Sequence, residues 1–97
     1  MARPAHPLAE CKHEVALGYG RTAAASDNPD YALAGIWLQA LAYADRGQSD
    51  QARGMFPQLM AKDGGAASES LAENKLQTAL KKLMEIRQKN NLPATCR

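Results

Sequence analysis

Two cysteines stand near opposite ends of this 97-residue chain, Cys11 and Cys96, and the two histidines, His6 and His13, flank the first of them. Three chemistries compete for these residues. A metal site would draw on His6, Cys11 and His13. Cys11 and His13 are only two residues apart, which on a helix sends them to different faces. A closed zinc site also needs four ligands, and no second Cys/His pair lies nearby in the sequence. The expectation is no metal, no cofactor, and histidines that face solvent. A nucleophilic triad needs Ser or Cys, a His and an orienting acid, and with both histidines in the first 13 residues nothing is placed to supply one. Asp45, Asp50, Asp63 and Glu69 fall at expected helix ends, where capping and the helix dipole account for acids. Gly18-x-Gly20 falls short of either phosphate-binding glycine pattern. The remaining chemistry is oxidation. A Cys11–Cys96 disulfide would close almost the whole chain and, by loop entropy, stabilise a small fold by about 4–5 kcal/mol. Such a bond places the protein in a periplasm or outside the cell, with the cytoplasm as the alternative if the thiols stay free.

Charge supplies a second candidate surface. The chain as a whole carries only +2, too little to imply a nucleic-acid partner. Residues 75–97, however, hold Lys75, Lys81, Lys82, Arg87, Lys89 and Arg97 against Glu85, while the rest of the chain is net acidic. Lys75, Lys82 and Lys89 recur every seven residues and would share one helix face, opposite Leu76, Leu80 and Leu83. Such a face reads as a docking surface for an acidic protein, with Trp37, the single tryptophan, as the candidate apolar anchor. Nucleic acid or another polyanion is the alternative partner, weakened by the lack of an aromatic or arginine-rich groove. A homodimer stays open. No apolar run approaches the roughly 20 residues of a membrane span, and residues 1–10 hold no export-length apolar stretch.

The elements that must position these residues are helices. There are 19 Ala and 11 Leu but only one Val, two Ile and three Thr. That composition favours helix and starves strands of β-branched residues. The expectation is a single all-α domain of four helices, at about residues 7–26, 29–46, 49–62 and 68–90, with tails at 1–6 and 93–97. In the first, Leu8, Cys11, Val15 and Tyr19 would share one face, and Gly18 and Gly20 imply a bend or the close approach of a neighbour. Asp27-Asn28-Pro29-Asp30 supplies a capping side chain, a proline at the first helical position and an acid in the first turn. The second helix is apolar on more than one face and should be central. Gly47 ends it, Ser49 caps the next, and Pro57 forces a kink or a restart near Phe56. Gly64-Gly65 is a loop, and Ser70 with Glu73 reads as a capping box, with Ser68 as the earlier alternative. In the last helix, Leu76, Ala79, Leu80, Leu83, Met84 and Ile86 form the apolar stripe.

The middle of the chain, over about residues 34–64, resembles one tetratricopeptide-type helical hairpin. Tyr43, Gly47, Ala52 and Phe56 stand at that family's aromatic, turn-glycine and Ala-x-x-x-Phe positions, with Ala40 at the helix crossing. Gln39 replaces the usual leucine, Trp37 is one residue out of register, Gly64 replaces the terminal proline, and Pro57 has no counterpart. A shift of 34 residues in either direction finds no second copy. The resemblance implies packing of Tyr43 and Phe56 between two helices, and peptide or protein binding in place of catalysis. The expected function is a small non-enzymatic interaction protein, such as an inhibitor, an immunity-type protein or an assembly adaptor; a nucleic-acid binder or a small helical enzyme is the alternative.

Overall fold

A computed structural model describes residues 8–62 and 69–96. Its described residues form helices α1 (His13–Ala24), α2 (Pro29–Asp45), α3 (Ser49–Gly54), α4 (Phe56–Lys62) and α5 (Glu69–Lys89), with no strand among them. The all-α expectation holds. Four helical stretches become five segments because the third is interrupted at Met55. Pro57 has no N–H to give the Arg53 carbonyl, so α3 closes on a turn from the Met55 N–H to Ala52 O and α4 restarts at Phe56. The Gly64-Gly65 loop, Asp63, Ser68 and His6 lie outside the described residues. Ser70 is already inside α5, so the capping box assigned to it does not form.

α1 starts later than the sequence suggests. Residues 8–11 form a turn in place of a first helical turn, with the Cys11 N–H bonded to Leu8 O at 3.0 Å and Cys11 at φ 63°. That left-handed conformation is unfavourable for an L-residue and halts any helix. The buried face of α1 is accordingly Ala16, Leu17 and Gly20, while Val15 and Tyr19 point outward. Leu8 is still fully buried, but as part of the turn.

Two small residues let α1 and α2 pack closely. A Cβ added at Gly35 would lie 2.5 Å from Ala24 N and 2.6 Å from Gly20 O, and one at Gly20 would lie 2.8 Å from Gly35 O. Backbones meet there with no room for a side chain, which answers the choice between a bend and a close neighbour. Asn28 caps α2 as expected, its Oδ1 accepting from the Asp30 and Tyr31 N–H groups. At the other end of this hairpin His13 meets Asp45 and Glu14 meets Arg46.

The end of α2 is a Schellman motif. Gly47 takes φ 82°, its N–H bonds to Ala44 O, and the Gln48 N–H reaches back to Tyr43 O at 2.9 Å. Gln48 sits at the cap of α3 and Ser49 is its first helical residue, without the side-chain cap assigned to it. The tight turn folds α3 and α4 back on α2, burying Ala52, Phe56 and Leu59 against Ile36, Ala40, Ala72 and Leu76. A second cluster joins Leu8, Ala9, Ala16, Leu17, Ala42 and Leu83. Leu41 and Tyr43 of α2 pack against both, so α2 is the central helix. No described helix is long and apolar enough to cross a membrane.

Candidate functional site

The fold gathers chemically capable side chains in two places. The first lies where the two ends of the described chain meet. α5 ends on a second Schellman motif, with Asn91 at φ 58° and the Leu92 N–H bonded to Arg87 O at 2.8 Å. This turns the tail back toward α1, and Cys96 forms the expected disulfide with Cys11. Beneath the bond lies Arg87, 0% exposed.

Every N–H of the Arg87 guanidinium has an acceptor. Nη1 donates to Asp45 Oδ1 (2.9 Å) and Ala94 O (3.1 Å). Nη2 donates to Asp45 Oδ2 (2.6 Å) and Leu8 O (2.6 Å), with Cys96 Sγ at 3.0 Å. Nε donates to Ala9 O at 3.3 Å. One side chain thus ties the N-terminal turn, the end of α2, α5 and the C-terminal tail together through a paired, two-point carboxylate contact. His13 Nε2 donates to the same Asp45 Oδ2 at 2.7 Å. Burial pushes the Asp45 carboxyl upward, but the hydrogen bonds and positive charge of Arg87 and His13 outweigh it and leave the group below its ordinary value.

Three sequence expectations are corrected here. His13 does not face solvent; it is held on Asp45 with its side chain 13% exposed. Asp45 is not a dipole or capping acid, for it stands at the C-terminal end of α2, where the dipole disfavours it, and serves Arg87 instead. Arg87 is no part of a basic surface. A signal for this was present: Leu76, Leu80, Leu83 and Arg87 follow one helical stripe, and Met84, assigned to it, is exposed instead.

His13, Asp45 and Cys96 bring ligand-type atoms within 4.8 Å of one another. Their capacity is already committed. The Cys96 sulfur is bonded to Cys11 and offers no thiolate, both Asp45 oxygens accept from Arg87, and the guanidinium Nη2 lies 2.6 Å from Asp45 Oδ2 and 3.0 Å from Cys96 Sγ. The arrangement is a structural clamp.

The second place is a groove of about 630 Å³ between α2 and α5. Its walls are Trp37, Leu38 and Leu41 from α2 and Leu71, Leu76 and Ala79 from α5. Lys75 and Lys82 stand on the α5 rim, and Lys75 Nζ lies 5.7 Å from the centre of the Trp37 ring. The two lysines therefore flank an apolar channel instead of standing opposite the core. Of the sequence candidates, Lys75, Lys82 and Trp37 come together. Lys81 borders a different hollow beside Met84 and Thr95, and Lys89 is exposed in the last turn of α5, away from both. The hairpin set behaves as packing residues: Ala52 and Phe56 are buried, Tyr43 is partly buried, and Gly47 makes the turn. No family model matches this chain, and no curated protein or solved structure is significantly similar to it.

Proposed function

We propose that this protein is a non-enzymatic interaction module that binds another protein of acidic surface along the α2/α5 groove. The observation that supports this most is the placement of Lys75 over Trp37 at the edge of an apolar channel. An aromatic anchor with charge along one edge suits a protein-binding surface: the ring supplies residence time and the lysines speed encounter. The committed chemistry around Arg87 favours scaffold over catalysis. The Cys11–Cys96 bond fits a periplasmic or extracellular setting, and the tetratricopeptide-like hairpin of α2 and α3 is in keeping with peptide binding. Within that setting an inhibitor, an immunity-type protein and an assembly adaptor all use such a module.

The test is capture of partners from native extract with wild-type, Trp37→Ala and Lys82→Glu baits. A protein retained by the first and lost from both variants is the expected result. Retention that is indifferent to both substitutions would refute the groove as the surface. Steep loss of duplex DNA binding with salt, tracking several released counterions, would favour the polyanion reading instead.

A further inference from the structure

Resting on that reading, we infer that the occupant of the α2/α5 groove is a single amphipathic helix with one acidic flank. The shape points this way first. Two helices lying side by side leave an elongated channel between their ridges, and a third helix is the regular element that fills one. The channel is apolar along its floor, and Leu71 at its lip is 52% exposed. An incoming helix would meet it with side chains at i, i+3 or i+4, and i+7.

Charge then fixes which helix. The α5 rim carries Lys75 and Lys82, with the polar Asn74 and Thr78 beside them, whereas the residues α2 contributes to the groove are all uncharged. Seven residues at 1.5 Å each put the two lysine positions about 10.5 Å apart along α5. A helix lying along the groove matches that interval with carboxylates at i and i+7 on one side of its apolar stripe. The charge asymmetry of the two rims makes a helix acidic on one flank fit better than one acidic on both. Lys75 is held in place beforehand by the Trp37 ring, so its ordering cost on binding is reduced.

The experiment uses the full oxidised chain and a synthetic 18-residue peptide of Ala, Leu and Glu, without Trp. Leucines occupy i, i+3, i+4 and i+7, and glutamates occupy i+1 and i+8, seven residues apart on one flank of that stripe. Trp37, the only tryptophan, reports occupancy through its emission, and circular dichroism reports helix gained by the peptide. The expected result is a saturable emission shift with a gain of helix. A scrambled peptide of identical composition should bind at least about tenfold more weakly, as should the Lys75→Glu/Lys82→Glu double variant with the original peptide. Lysines in place of the two flanking glutamates should restore binding to that double variant. Equal binding of ordered and scrambled peptides, indifference to charge reversal, or a response to oleate with none to the peptide would each overturn the inference. Should the peptide fail while extract partners are still lost from the Trp37→Ala and Lys82→Glu baits, the helical occupant falls and the interaction reading stands. Failure of both experiments removes both.

Discussion

Arg87 is the residue on which the ends of this fold depend, and the one the sequence disguised best. Read along the chain, it is one more cation in a basic segment. In the fold it is buried, with five N–H groups satisfied by Asp45 and three backbone carbonyls. Removing it would strand a buried carboxylate and those carbonyls together. Arg87→Met should therefore cost about 3–5 kcal/mol in denaturant unfolding, and Arg87→Lys should restore only part, since an ammonium cannot make the two-point contact. Asp45 gives the pH signature. Its carboxyl titrates below its ordinary value of 3.8 in the folded state, so the stability it contributes is present above that value. It is lost as pH falls through the lower folded value. Wild-type unfolding free energy should drop more steeply below about pH 4 than that of Asp45→Asn, when the two are compared by urea titration. Tertiary partnership of this kind has no local pattern. The visible clues were a charge on an apolar stripe and an acid at the wrong end of a helix.

At the scale of elements, most of the fold was legible because local chemistry decides it. Asn28-Pro29 starts α2, Gly47 ends it, and Pro57 breaks the third stretch, each through a backbone constraint that needs no distant partner. The start of α1 was not legible, because the disulfide and the Arg87 clamp hold residues 8–11 in a turn that helix propensity alone would not choose. Neither was Gly35, hidden in an apolar run; only its contact with Gly20 gives it meaning. The glycines separate cleanly by experiment. Gly35→Ala puts a Cβ 2.5 Å from Ala24 N and 2.6 Å from Gly20 O on α1 and should destabilise by about 1–3 kcal/mol or more. Gly18→Ala meets nothing within 4 Å and should stabilise by about 0.5–1 kcal/mol, because alanine is the better helix former. Thermal unfolding of the two variants side by side checks the packing of α1 on α2. Phe56→Ala should cost about 3–5 kcal/mol through the cavity it leaves between α2, α4 and α5, a large share of what a domain of this size has to lose.

For the whole molecule, the disulfide and the clamp act on the same two ends. Cys11 and Cys96 are 85 residues apart in sequence, so reduction should cost about 2–5 kcal/mol through the freedom returned to the unfolded chain. Arg87 still holds Leu8, Ala9 and Ala94, so the reduced protein should keep its helical circular dichroism at 25 °C while its midpoint in urea falls. Charge at this scale is also redistributed: with Arg87 neutralised inside, the outward cations of α5 divide between the groove rim, the hollow beside Met84 and the last turn. The sequence interval of seven linked Lys75, Lys82 and Lys89, but only the position of α2 decides which of them borders an apolar channel. The proposed working surface is this channel. Site-specific photo-crosslinking in the native cell addresses it directly, with a benzophenone side chain placed at Leu71 on the groove lip or at Tyr19, the 63%-exposed aromatic on α1. A discrete crosslinked partner is expected from position 71 and none from position 19. A partner trapped from position 19, or from both positions equally, would refute the channel as that surface.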